Sequence, residues 1–289
     1  MTQTYELATP EVMLVYDVRG PLPAPGERPP LMMVGAPMDA SGFASLASHF
    51  DDRTVVTYDP RGIGRSVRRD GDALYTPDRN ATDLHRIIEA LDCGPVQMFA
   101  SSGGAIGALS LVSSRPDDVS TLVAHEPPML TMLPDAEDAF AAERSVQETY
   151  DERGWGHGMA AFLDMTSWSG EFTDAFARRD ASDPAAFGLP IDDDGSRDDP
   201  VLSGASNPIT AYRTDFDALV AVSTRIVIGV GARSRGHLTG RTSEAVARAL
   251  GSETVEFPGD HGGFLGGEFG QTGDPEAFAA TLRRVLDRR

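Results

Sequence analysis

Met98-Phe99-Ala100-Ser101-Ser102-Gly103-Gly104-Ala105 is the stretch whose reading decides the fold. It follows a short β-like run, Val96 to Phe99, and opens directly into an apolar helical run, Ala105 to Val112. Ala100 and Gly104 flank the serine at two-residue spacing, so only small side chains crowd it. This is the layout of a nucleophile elbow, a strand-to-helix turn that lifts the serine hydroxyl off a sheet and turns the first helical N–H groups toward whatever it attacks. The usual pattern has Gly at the first position, where this chain has Ala. Turns of Ser, Gly and Ala also serve as plain connectors, so partners elsewhere in the chain must decide.

Working outward, the flanking sequence alternates strands and helices. Leu31 to Val34 is wholly apolar between Pro30 and Gly35, as a buried parallel strand requires. Phe43, Leu46, Ala47 and Phe50 follow at helical spacing, and Thr54 to Tyr58 reads as the next strand. Thr76-Pro77-Asp78 predicts an N-cap with proline in the first turn, ahead of an apolar face at Leu84, Ile87, Ile88 and Leu91. Leu122 to Ala124 supplies a strand beyond the elbow helix. Between about 130 and 215 helical patterns run without strands, then pass into a Pro-, Gly- and Asp-rich stretch from Asp180 to Asn207. Alternation resumes with Arg225 to Val230, Ser243 to Leu250 and Thr254 to Phe257, and a last helix follows Asp274-Pro275. The expectation is an α/β fold: a mostly parallel sheet with helices on both faces and an inserted helical cap. Its segments are a first core part at 1–130, a cap at 131–215 and a second core part at 216–289.

The chain of 289 residues carries a net charge of −19, a field that repels nucleic acid and anionic membranes. The acidic residues read as a solvated surface. Cys93 is the only cysteine, which excludes an internal disulfide and a cysteine metal cluster. No run of about 18 apolar residues and no basic-then-apolar leader is visible. These features set the expectation of a cytoplasmic protein, monomer or homodimer, that acts on a small molecule without metal or cofactor.

A serine hydroxyl needs an adjacent base. Of six histidines, His261 lies just past the last strand in Phe257-Pro258-Gly259-Asp260-His261-Gly262-Gly263-Phe264, at the sheet edge where the elbow opens. His49 and His85 fall within amphipathic helices, and His237 is a rival in a loop near the same edge.

With these motifs in order, the sequence resembles the α/β-hydrolase superfamily, in the subgroup with a serine nucleophile and a helical cap. Val34-Gly35-Ala36-Pro37 resembles the family's His-Gly-X-Pro oxyanion loop, with Val34 in place of His. Tyr58-Asp59-Pro60-Arg61-Gly62-Ile63-Gly64-Arg65-Ser66 matches its Asp-X-Arg-Gly-X-Gly-X-Ser turn almost letter for letter, and the elbow and His261 complete the set. The resemblance implies Ser102 as nucleophile, His261 as general base and then acid, and an oxyanion hole from the backbone N–H groups of Ala36 and Gly103. In that turn Asp59 and Arg61 usually hold loops together.

The acid departs from the pattern. The family usually places an Asp after the strand matching Ile226–Val230, but the window reads Gly231-Ala232-Arg233-Ser234. A serine cannot hold imidazolium charge as a carboxylate does. Glu126, directly after the strand Leu122–Ala124, is the candidate replacement, since some family members carry their acid there. Its rival roles are a structural carboxylate at the cap entrance, Asp260 as the acid instead, or a Ser–His dyad with none. Met38, Trp155 and Trp168 are candidate substrate contacts, with cap packing the alternative for the tryptophans.

The implied function is hydrolysis of a small ester, lactone or related acyl compound through an acyl-enzyme. The alternative is a non-hydrolytic protein on the same scaffold, a ligand-binding module or biosynthetic cyclase. A dinucleotide site at Gly229-Val230-Gly231 fails, because Ser234 stands where the third glycine belongs.

Overall fold

The computed structural model describes residues 2–22 and 28–288; residues 1 and 289, which end the expected outer segments, lie outside it, as do 23–27. The first half runs β1 (Thr2–Ala8), β2 (Val12–Arg19), β3 (Leu31–Val34), α1 (Ala44–Ser48), β4 (Val55–Asp59), β5 (Val67–Arg68), α2 (Pro77–Leu91), β6 (Val96–Ser101), α3 (Gly103–Ser114) and β7 (Val119–His125). Helices α4 (Ala136–Arg153), α5 (Trp155–Ser167), α6 (Asp174–Ala177) and α7 (Asn207–Thr210) follow with no strand among them. The chain then returns through α8 (Phe216–Ala221), β8 (Arg225–Gly231), α9 (Leu238–Ala249), β9 (Val255–Phe257) and α10 (Pro275–Leu286).

One sheet runs in the order β1-β2-β4-β3-β6-β7-β8-β9, with β5 paired to β2. From β4 to β9 every pairing is parallel, and β1, β2 and β5 add an antiparallel end. The apolar sides of α2, α3, α8 and α9 cover one face; α1, α10 and the rings of Phe99, Phe257, Phe264 and Phe278 fill the other. β3 is buried at every residue, which is why its sequence is a continuous apolar run rather than an alternation. The expected parallel sheet covered on both faces is therefore present.

The β1–β2 hairpin has no counterpart in the sequence expectation. Residues of β1 are exposed almost throughout, so no buried face marks them as a strand. Thr76 does sit at the N-cap of α2 with Pro77 after it, but its hydroxyl makes no capping bond. At α10 the expected cap is made: Asp274 Oδ1 accepts from Ala277 N at 3.0 Å.

Helices α4 and α5, with Phe172, Phe176 and Leu202, enclose a cluster of their own, separate from the two sheet cores. Several ties bind this insertion to the sheet part. Among them, Tyr75 N donates to Ala205 O at 2.9 Å, Tyr212 Oη to Asp78 Oδ1 at 2.5 Å, and Arg241 pairs with Asp135.

Candidate active site

β6 stops at Ser101 and α3 starts at Gly103, so Ser102 alone makes the turn. Its φ of 58° and ψ of −132° lie where an L side chain is crowded, a conformation that costs about 1–3 kcal/mol and persists only where surroundings enforce it. The enforcement is visible. Ser102 N donates to His125 O at the end of β7, at 2.9 Å. On the helix side, a Cβ at Gly104 would sit 2.9 Å from the backbone of Gly35, so any larger residue would force the end of β3 away. Ala100 is fully buried, and its methyl is accommodated where the usual motif has Gly. Among the described residues the Ser102 hydroxyl has no hydrogen-bond partner; the bond to His261 is not made in this structure.

Glu126 follows β7 directly and, like Ser102, has a positive φ, 49°. Its N–H donates to Gly229 O at 3.1 Å, which pins the turn to β8. The carboxylate is completely buried, yet both oxygens are satisfied. Oε1 accepts from Gly231 N at 2.8 Å; Oε2 accepts from Thr239 Oγ1 at 2.5 Å and faces His261 Nδ1 at 2.7 Å. Burial pushes the carboxyl toward neutrality, but the hydrogen bond to His261, the imidazole charge beside it and the nearby Ser234 hydroxyl hold it well below the usual carboxylate range. For His261, burial favours the neutral ring, and the bond and charge of Glu126 outweigh it, raising the imidazole above its ordinary value. The pair is thus an ionised carboxylate orienting a basic imidazole through Nδ1, which leaves Nε2 for proton transfer.

Ser234, where the family's Asp usually stands, is buried beside Glu126. Asp260 is engaged elsewhere: it bonds Arg233 at 2.9 Å and Gly262 N at 3.1 Å. His237 stands at the N-cap of α9, bridged to Ser169 rather than to the elbow.

The N–H groups of Ala36 and Gly103 have no acceptor among the described residues, and the two segments touch: a Cβ on Gly103 would lie 2.7 Å from Ala36 O. Both residues line a crevice together with Pro60, Tyr75, Asp83 and Ile209. Only about 20 Å³ of it is open to water centres, room for about one water. Ile209, from α7 of the insertion, lies directly over Gly103.

The remaining candidates separate. Met38 folds back against Gly35 and Gly42, beside the oxyanion loop. Trp155 donates to Asp199 Oδ2 at 2.8 Å, and Trp168 donates to Glu171 O and stacks edge-on against Phe176. Both tryptophans pack with the insertion's own cluster, and no contact joins either to Ser102. This packing is the alternative role that their helical spacing favours. Asp59 and Arg61 do hold loops, through different partners: Asp59 binds Ala40 N, Arg65 N and the Arg65 guanidinium, whereas Arg61 forks onto Asp83 and reaches Asp70. No group of side chains that could hold a metal occurs among the described residues, and no helix is long and apolar enough to cross a membrane. Thr239, Gly231 and His125 are the neighbours that sequence reasoning missed, because nothing in a one-dimensional motif records who bonds a carboxylate three elements away.

The sheet order and the helices on both faces are those of the α/β-hydrolase fold, and the comparisons agree on that fold. Residues 30–154 match the family described as alpha/beta hydrolase fold. An uncharacterized hydrolase of Bacillus subtilis, YraK, is 28% identical over 263 residues, 89% of each chain. A putative carbamate hydrolase of Caulobacter segnis, RutD, is 32% identical over 111 residues, 38% of this chain and 41% of that protein. Among solved structures, a thermophilic esterase from Thermogutta terrifontis superposes with a TM-score of 0.65 at 22% identity, covering 98% of both chains. An enol-lactonase from Burkholderia xenovorans gives 0.63 at 17% identity over 96% and 97%. The chain thus has the α/β-hydrolase fold, and the sequence relatives YraK and RutD are both named hydrolases.

Proposed function

We propose that the protein is a serine hydrolase that cleaves a small ester, lactone or related acyl compound. The observation that carries this reading is the 2.7 Å bond between His261 Nδ1 and a fully buried Glu126, on the strand beside the strained serine. In this reading Ser102 Oγ hydrogen-bonds to His261 Nε2 when substrate is bound. Oγ attacks the substrate carbonyl carbon as its proton passes to Nε2, and the Ala36 and Gly103 N–H groups receive the negative charge that develops on the carbonyl oxygen. Removing one such donor typically costs about 3 kcal/mol of transition-state stabilisation. When the tetrahedral adduct collapses, the C–O bond to the leaving group breaks and His261 protonates the departing oxygen. Water, deprotonated by His261, then releases the acid and restores Ser102.

Ile209 of α7 lies over Gly103 and narrows the space beside the oxyanion hole, so a short acyl chain is expected to be preferred to a long one. A panel of p-nitrophenyl esters from acetate to octanoate tests the reading. Hydrolysis that falls with chain length and disappears in Ser102→Ala supports it; equal rates for wild type and Ser102→Ala contradict it. One observation favours the alternative of a non-hydrolytic binding protein, the absent Ser102–His261 hydrogen bond. That reading predicts no turnover of any ester by wild type.

A further inference from the structure

Behind the acid–base pair lies a third titratable ring that the mechanism does not use. His125, the last residue of β7, is completely buried. Phe99, Phe257, Phe264 and Phe278 surround it at centroid distances of 5.3 to 6.1 Å, and the ring of His261 lies nearly parallel to it, 6.1 Å away and inclined 22°. Its Nδ1 meets Ser101 Oγ at 3.2 Å. Its Nε2 has no hydrogen-bond partner and stands 4.0 Å from Glu126 Oε1.

These distances choose a tautomer. With the proton on Nδ1, the Nε2 lone pair would face an ionised carboxylate in a fully buried, ring-lined site, an unfavourable arrangement at this range. With the proton on Nε2, an N–H edge faces the carboxylate and Ser101 donates its hydroxyl to Nδ1. The second arrangement satisfies both nitrogens electrostatically. We infer that His125 is a positioning residue for the acid–base pair, a neutral imidazole whose Nε2–H edge draws on the charge of Glu126 and whose face backs the ring of His261. This rests on the serine-hydrolase reading.

The sign of the effect follows from the groups in place. Glu126, next in the chain after His125, and His261 and Asp260 from the loop after β9 act on the His125 ring; Thr239, Ser234 and Gly231 N surround the Glu126 carboxylate from the β8–α9 side, and Asp260 is paired to Arg233. The N–H edge offsets part of the carboxylate charge and so moderates its hold on the His261 proton. Removing that edge leaves Glu126 a stronger partner, and His261 keeps its proton to higher pH.

The rate of labelling by a fluorophosphonate, followed from pH 5 to 9, reads the basicity of His261 without knowledge of the natural substrate. Four proteins are compared with their melting temperatures: wild type, His125→Phe, His125→Gln and Ser101→Ala. The expected result is an acid limb moved upward by about half a pH unit in His125→Phe, and by less in Ser101→Ala, which frees the tautomer without opening a sizeable cavity. His125→Gln, which keeps an N–H donor, returns the limb toward wild type. Unmoved limbs in Ser101→Ala and in whichever His125 variants fold, with only the melting temperature lowered, would reduce His125 to a core filler and overturn the inference. A Gln profile displaced as far as that of Phe contradicts the donor role. Should wild type itself resist labelling, the serine-hydrolase reading falls and takes this inference with it.

Discussion

Glu126→Gln is the substitution on which the account can be pressed hardest. Gln has nearly the same shape, so the loss is one of charge and of acceptor capacity. In the native site Oε1 receives a backbone N–H from Gly231, and Oε2 receives Thr239 Oγ1 and faces His261 Nδ1. An amide supplies only one acceptor oxygen. If that oxygen faces His261, the NH₂ group meets the Gly231 N–H, donor against donor, in a site with no exposure. If it faces Gly231, the NH₂ meets His261 and selects the tautomer with Nδ1 bare, which leaves Nε2 protonated and unable to take the serine proton. Either arrangement forfeits the carboxylate that stabilises the imidazolium. Loss of a triad carboxylate by amide substitution costs about 10⁴-fold in turnover elsewhere, so a loss of about 10³- to 10⁴-fold, or about 4 to 5 kcal/mol, is expected here. The fold loses less, about 1 to 3 kcal/mol for one mispaired buried group. Ester turnover and a urea titration on the same preparation measure both. Activity within tenfold of wild type, or a loss of activity matched by an equal loss of stability, would refute the assignment of Glu126 as the orienting acid.

Other consequences are open to measurement. Ser234→Ala changes ester turnover by less than about threefold, whereas Ser234→Asp placed in the Glu126→Gln protein recovers at least about tenfold, because it returns a carboxylate to the neighbouring loop within reach of the same histidine. Gly104→Val destabilises the protein by about 3 kcal/mol or more in a denaturant titration, since its side chain has only the Gly35 backbone to displace. His125 supplies a pH signature: burial pushes its imidazole down from 6.5 to about 4. The unfolded chain therefore takes up a proton between those values that the folded chain refuses, and stability is lost as pH falls through that window. The full effect is about 3 kcal/mol. Urea midpoints at pH 7 and pH 4.5 should show it, with a shallower slope in His125→Gln.

The sheet and the serine were legible because their signals are local. A short, wholly apolar run bounded by Pro30 and Gly35, such as Leu31–Val34, suits a doubly covered strand, and the crowding at Ser102 shows in the small residues around it. The position of His261 was legible through topology, since parallel strands end on one edge. The acid was legible only as a candidate, because Glu126 and Asp260 differ in which way the chain turns after a strand. In the structure the Glu126 carboxylate meets His261 Nδ1 while Asp260 pairs with Arg233, and neither arrangement leaves a mark in composition or period. For Trp155 and Trp168 helical spacing favours packing within the insertion, and what it leaves out is the hydrogen bond each ring makes, to Asp199 and to Glu171 O. β1 left no signal because an exposed edge strand has no buried face to impose alternation, whereas its partner β2 does bury one at Val12, Leu14, Tyr16 and Val18.

Intact-mass spectrometry after exposure to a fluorophosphonate, with the labelled peptide then located, tests the central claim most directly. The account predicts one adduct per chain, carried on Ser102, abolished in Ser102→Ala and slowed about 10³-fold or more in His261→Ala. An adduct on another residue, or a wild-type chain that stays as unlabelled as Ser102→Ala, would contradict it.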